Sequence, residues 1–313
     1  MDKTTNYPFN TSQAYSPWVL LLILSGFVVG GLIIFSLVGQ GIVMGIFNLS
    51  LEESLDILRR PESFDNSKFP LMLLQGITSI GAFILVPILF IRLNISAPLI
   101  SFFKLPEDAL RPILMTVVIL FCFMVANSVV IEWNQNLIMP EFLSGFEKWA
   151  LAKEDQLKQL TEFLTSFDNF GEYLIALIVI ALVPAIGEEL LFRGLIQKLF
   201  GKALKNHHLA IWISAIIFGV FHMQFYGVIP RIFLGALFGY LYYWSGHLSL
   251  AMVGHFMNNG LTLTLLYFSQ LKFLSYDVTD TQSSPPIYVV GLFFVAGAIL
   301  LYLFRNLFSL KNA

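Results

Sequence analysis

Three stretches of this chain carry ionisable side chains where nearly every neighbour is apolar. Val183-Pro184-Ala185-Ile186-Gly187-Glu188-Glu189-Leu190-Leu191-Phe192-Arg193-Gly194 sets two acids and a base in one run. Phe218-Gly219-Val220-Phe221-His222 places an imidazole in a second, and His255-Phe256-Met257-Asn258-Asn259 adds another imidazole and two amides in a third. Carboxylates and imidazoles move protons, and amides and cations stabilise developing negative charge, so these are the residue types of hydrolysis. Glu189 and Arg193 are four apart, on one helical face, with the acid first as an ion pair prefers. Glu188 is rotated from Glu189 by about 100°. One carboxylate is therefore clamped while its neighbour points elsewhere, and in low dielectric the two cannot easily both ionise. Pro184 cannot donate to the carbonyl of Ile180, which predicts a kink and extra space beside the acids.

The elements that hold these residues follow from composition. The 313 residues are 57% hydrophobic and 12% charged, with mean hydropathy +0.77. A soluble domain carries about twice that charge, since its surface must be hydrated. Net charge is −2, which offers no basic field for nucleic acid. Cys122 is the only cysteine, so an intrachain disulfide and a multi-cysteine metal site are excluded. Apolar runs near Trp18–Ile46, Phe69–Ile91, Leu110–Ile131, Glu172–Leu199, Leu209–Gln224, Val228–Trp244, Leu248–Leu271 and Ile287–Phe308 predict an all-α, polytopic transmembrane bundle of about eight helices with a central polar chamber. The first run is too long for a signal-peptide core and follows a segment with Lys3 as its base, which reads as a retained anchor. Gly227 and Pro230 predict a tight turn between the fifth and sixth runs.

Two polar connections stand out. Leu51–Lys68 carries Glu52, Glu53, Asp56, Arg59 and Arg60, and Glu132–Phe170 spaces Trp149, Leu151, Leu157, Leu160 and Phe163 among charges. The second suits an amphipathic helix that lies on the membrane or caps a cavity, or a solvated connector. No internal repeat of the transporter kind is evident. An even number of spans puts both termini on one side. Arg92, Lys104, Arg111, Lys198, Lys202, Lys205 and Arg305, with Lys3 and Lys311, fall there, mostly in short loops at helix ends, so the positive-inside rule makes both termini cytoplasmic. Counted inward from that side, Glu188 lies at roughly 16 Å, His222 at roughly 20 Å, and His255 and Asn259 at roughly 10 and 16 Å.

Taken singly, each polar residue has a structural reading: an ion pair, a lone histidine bonded to a neighbouring helix, asparagines as interhelical glue. Jointly they sit at matched depth, where a charge costs between about 2.5 and 10 kcal/mol. His207, His208 and His247 lie at loops or helix mouths and are read as non-catalytic.

At these residues the sequence resembles the CPBP intramembrane peptidases, also called the Abi family, which includes type II CAAX prenyl endopeptidases and bacteriocin-processing or immunity proteins. E-E-x-x-x-R matches Glu188, Glu189 and Arg193, with Phe192 and Gly194 as commonly seen; F-x-x-x-H matches Phe218 and His222; H-x-x-x-N matches His255 and Asn259. Gly235 and Gly239 look similar to the family's small-residue helix. The likeness divides the chain into 1–170, membrane helices and an amphipathic connector, 171–271, the catalytic core, and 272–313, a last membrane helix. It implies a multi-pass protein, of a bacterial cytoplasmic membrane, whose chamber opens toward the cytoplasm and which cleaves a membrane-associated, prenylated or leader-bearing peptide. Glu188 would be the general base assisted by His222, His255 and Asn259 would stabilise the oxyanion, and Glu189 with Arg193 would hold the geometry. The family name implies zinc on Glu188, His222 and His255, yet H-E-x-x-H is absent, which leaves a metal-independent glutamate mechanism open. A proton-coupled transporter and a non-catalytic immunity or binding protein remain alternatives.

Overall fold

The computed structural model describes residues 10–11, 15–61, 67–273 and 284–309. Lys3, Lys311 and part of the Leu51–Lys68 connection lie outside the described residues. Helices account for nearly all of the described chain: α1 (Pro17–Phe47), α2 (Leu51–Arg59), α3 (Lys68–Asn94), α4 (Leu110–Gln135), α5 (Ser144–Leu164), α6 (Phe170–Leu204), α7 (His207–Phe221), α8 (Val228–Ser245), α9 (Leu248–Gln270) and α10 (Ile287–Ser309). A two-residue antiparallel pair, β1 (Asn10–Thr11) with β2 (Ile95–Ser96), is the strand structure among the described residues.

Six helical stretches are long and apolar enough to cross a membrane: α1, α3, α4, α6, α8 with the turn before it, and α10. The eight runs of the sequence reading correspond to these plus α7, which is apolar but 15 residues long, and α9, whose 23 residues are interrupted by His255, Asn258 and Asn259. The main apolar core joins Leu20 and Leu24 of α1, Phe90 of α3, Ile119 of α4, Leu190 and Phe192 of α6, Phe238 of α8, Leu250 of α9 and Phe304 of α10. Leu22, Leu37, Leu292 and Tyr302 point outward instead, as lipid-facing residues should.

Contacts between connections sort them onto two faces. On one face β1 pairs with β2, His247 bonds the Lys104 carbonyl, and Trp18 meets Phe200. On the other, Gln270 accepts from the Phe167 amide, Glu132 accepts from Ser284, and Lys68 pairs with Glu172 at 2.7 Å. The start of α1 and the end of α10 thus share a face, as an even number of crossings requires. On the opposite face, α2 begins with a capping box in which Ser50 and Glu53 bond each other's backbone. The Ser50 hydroxyl, and then its backbone N–H, hold the Glu53 carboxyl below the usual carboxylate range.

Two features position the polar residues. The first is a widened, π-helical stretch before each of two prolines: Ile80–Leu85 before Pro87, and Leu177–Leu182 before Pro184. The distortion expected at Pro184 takes this form, because the wider turn re-registers the ladder around the missing N–H. The second is close contact between α3 and α6: a Cβ on Gly187 would meet Phe83 Cβ at 2.7 Å and the Phe83 backbone carbonyl carbon at 3.2 Å. The end of α7 differs from the expected Leu209–Gln224 run. His222 closes the helix, and the chain turns back through 222–227. Pro230, expected in that turn, sits in the first turn of α8, where its missing N–H costs nothing.

Gly187→Ala is expected to cost about 1–3 kcal/mol by forcing α3 and α6 apart. Gly30→Ala, where a Cβ meets nothing within 4 Å, should leave stability unchanged or slightly raised. Thermal unfolding of the two variants in detergent checks the contrast.

Candidate active site

The site is built where α6, α7, α8 and α9 meet. Arg193 and Glu189, on one face of α6, are 1% and 0% exposed and pair at 2.6 Å. Nothing in hydrocarbon replaces the water each has lost, so every remaining donor must find protein. The second guanidinium nitrogen donates to the Gly235 carbonyl at 3.0 Å, and the ion's faces lie against Phe218, 4.4 Å away, and Phe238, 5.3 Å away. His255 of α9 bonds the same Glu189 oxygen through Nδ1 at 2.9 Å and stacks on Phe238 at 5.2 Å. One carboxylate oxygen thereby joins α6 to α9, and its guanidinium partner adds α8.

The two glycines of α8 explain how α7 and α6 come so close. A Cβ on Gly235 would lie 3.2 Å from the Ala215 backbone, and one on Gly239 would lie 2.8 Å from Gln197 Oε1. Gln197, one turn after Arg193, donates to the Gly239 carbonyl at 3.2 Å. Residues 193 and 197 therefore read carbonyls 235 and 239 in parallel. The sequence reading missed Gln197; the spacing 189, 193, 197 was the available signal.

Glu188 faces the other way, as its rotation predicts. Its Oε2 lies 3.9 Å from His222 Nε2, and the two side chains stay 14% and 28% exposed. His222 Nδ1 is 2.8 Å from the Phe218 carbonyl, which can only accept, so Nδ1 carries a proton and neutral His222 turns a lone pair toward Glu188. At 3.9 Å the two acceptors are too far apart for a direct hydrogen bond and leave room for a bridging donor. Glu188 Oε2 has no hydrogen-bond partner among the described residues. A water about 2.8 Å from each atom would see them at about 90°, a workable angle for donating to both.

Asn259 donates to the Ile180 carbonyl at 3.1 Å. That carbonyl would take the N–H of residue 184 in a regular helix, and Pro184 has none. Asn258 in turn donates to Asn259 Oδ1 at 3.1 Å. The three residues expected as zinc ligands are divided: His222 faces Glu188, while His255 faces Glu189. Zinc needs converging ligands at about 2.0–2.3 Å, and no three His, Cys, Asp or Glu side chains among the described residues form such a group. As arranged, Glu188, His222 and His255 do not fit a zinc triad.

The floor of the site is the 222–227 turn. At 1.5 Å per residue α7 is roughly 22 Å long, short of the roughly 30 Å hydrocarbon layer. Non-helical backbone at that depth needs partners from protein or trapped water. Asn134 of α4 supplies two, donating to the Phe225 carbonyl at 3.3 Å and accepting from the Ile229 amide at 3.0 Å. Glu154 of α5 accepts from the Tyr226 amide and from Gln224, each at 3.3 Å, while Phe146 and Trp149 pack on Phe225. The connector thus packs on this turn through Glu154, Phe146 and Trp149. Arg231 bonds Gln224 at 2.5 Å and lies within Coulombic range of Glu154 and Glu188. Asn134, Glu154 and Arg231 were missed, although Asn134 is a polar residue in an apolar span. His207, His208 and His247 are occupied at helix ends, by Tyr243, Tyr240 and the Lys104 carbonyl.

The turn beside His222 lies on the face opposite both described chain ends.

Residues 170–261 match the family model described as type II CAAX prenyl endopeptidase Rce1-like. Over this stretch the chain is similar to that family, and Glu188, Glu189, Arg193, His222, His255 and Asn259 all fall within it. The chain is also similar to uncharacterized protein YpbD of Bacillus subtilis (strain 168), 26% identical over 100 residues, 31% of this chain and 48% of the relative. The chain thus spans about half the length of that curated relative. No solved structure matches.

The two acids should differ in stability as well as role. Arg193→Gln strands a buried carboxylate and is expected to cost about 3–5 kcal/mol. Adding Glu189→Gln should recover part of the loss, and Glu188→Gln alone should leave the unfolding temperature close to that of the parent. Thermal unfolding of the variants in one detergent tests the split.

Proposed function

We propose that this protein is an intramembrane endopeptidase that hydrolyses a peptide bond by glutamate-activated water. The observation that carries the reading is the partly buried Glu188–His222 pair beside a fully buried Glu189–Arg193 pair. A structural polar cluster would bury all four. Water donating to Glu188 and to His222 Nε2 keeps a lone pair for a substrate carbonyl. As oxygen attacks the carbonyl carbon, Glu188 takes the water proton and later passes it to the leaving amine. The oxyanion would be met by the Nε2–H of His255 as an imidazolium, whose Nδ1–H is held by Glu189, and by the second amide hydrogen of Asn259, the first being given to Ile180. Arg193 acts through Glu189 as a positioning residue. Each step uses groups of this chain and none passes through a metal.

The similarity to type II CAAX prenyl endopeptidases over residues 170–261 supports the reaction class and points to a peptide or protein held at the membrane, prenylated or leader-bearing, as substrate. The bilayer is the second partner, in contact with the outward apolar faces of the helices.

In proteoliposomes with a quenched fluorescent peptide, Glu188→Gln and His222→Ala should each lower kcat/KM by about 10²–10⁴, with the unfolding temperature preserved. Hydrolysis surviving in the double variant rejects the reading, and solute flux without cleavage, lost in the same variants, favours a carrier. A chelator such as 1,10-phenanthroline should leave the rate within about twofold, since the ligand set for zinc is not assembled.

A further inference from the structure

Arg231 is placed against two rules. It lies in the first turn of α8, which holds no acidic residue, and a helix N-terminus disfavours positive charge. It also stands beside the 222–227 turn, within the apolar layer, where a charge is costly. Part of its role is structural: it donates to Gln224 Oε1 at 2.5 Å, its one hydrogen bond among the described residues. That bond uses a single N–H, and the guanidinium's other donors are left over. Helical side chains tilt toward the helix N-terminus, so Arg231 leans back over the turn that His222 begins. A Cβ on Gly227 would lie 2.1 Å from Arg231 Nη1, so this pose needs the glycine. Arg231 is half-buried, and Glu154, Glu188 and His222 lie within Coulombic range. The two carboxylates offset the cation from a distance. A third, brought by a ligand, would be repelled by both, so the remaining donors suit a neutral acceptor.

We propose that Arg231 is a substrate-binding residue whose remaining N–H groups hold a main-chain carbonyl of the peptide, flanking the bond that is cut at Glu188 and His222. The inference deepens the peptidase reading and rests on it for the nature of the ligand. Gln224 aims the guanidinium, and Gly227 leaves it the space.

Binding of the quenched fluorescent peptide is measured on the full chain in proteoliposomes, in a Glu188→Gln background so that no turnover intervenes. Adding Arg231→Met should weaken binding about 10–100-fold, the range for a hydrogen bond to a charged group. Arg231→Lys, which keeps the charge but loses the fork of donors, should fall between the two. Gly227→Ala displaces the guanidinium and alters no charge, and its backbone φ of −130° suits any residue. It should copy Arg231→Met with the unfolding temperature preserved. In the parent background the loss should appear in KM, with kcat within about threefold. Peptides carrying one thioamide at a time locate the carbonyl, since sulfur accepts more weakly than oxygen. At one position the exchange should cost about fivefold, and that loss should vanish with Arg231→Met. Equal binding with and without Arg231, thioamide losses unchanged by its removal, or no binding of the peptide overturns the proposal. So does an Arg231-dependent loss on amidating the peptide's C-terminus or neutralising its acidic residues, which assigns the cation to a carboxylate. Arg231-dependent binding in a chain that never cleaves supports the carbonyl contact and rejects the peptidase reading; cleavage indifferent to Arg231 rejects this inference alone. If Arg231→Met does not fold, Gly227→Ala takes its place in every arm.

Discussion

Everything at the centre of this bundle depends on one requirement, that a carboxylate and a guanidinium taken out of water be partnered by protein. Glu189 Oε1 and Arg193 meet it together with His255 and the Gly235 carbonyl, while Glu189 Oε2 has no hydrogen-bond partner among the described residues. Attraction within such a pair only offsets the cost of removing both ions from water. Its value is therefore in geometry more than in net stability. The alternatives to the native arrangement leave a charge stranded in an apolar interior, so α6, α8 and α9 are held in one register.

That register decides what Glu188 can do. Because Glu189 is locked inward, its neighbour must project about 100° away, toward the end of α7 where His222 stands. The carboxylate that can reach water is chosen by the one that cannot. The glycines of α8 belong to the same logic. With side chains at 235 and 239, α8 would be pushed off α7 and Gln197, and Arg193 would lose the carbonyl that completes its shell.

A second constraint shapes the approach to the site. The short α7 leaves its turn inside the apolar layer, and backbone there must be bonded by protein. Asn134 and Glu154 do this from two sides. The amphipathic α5 is thus part of the site's wall, and the same contacts put the His222 end of the site on the face away from both described chain ends.

Several of these conclusions follow from sequence alone. Low charge and long apolar runs dictate a helical membrane protein, since no other open backbone survives in lipid. The i, i+4 spacing of Glu189 and Arg193 specifies their pairing, and adjacent numbering specifies that Glu188 faces elsewhere, because helix geometry is local. The resemblance set His222 beside Glu188, but that His255 serves Glu189 was not readable. His222 and His255 are both single imidazoles in apolar runs, and they were grouped with Glu188 in one ligand set. Only packing separates them, by setting His255 against Phe238 and Glu189 and leaving His222 at a helix end. The same holds for Asn259, drawn to the carbonyl that Pro184 orphans, and for Asn134, Glu154 and Gln197, whose partners lie on other helices. Local rules fix direction along one helix; the phase and depth of one helix against another come from summed side-chain volumes, and those exist only once the chain is folded.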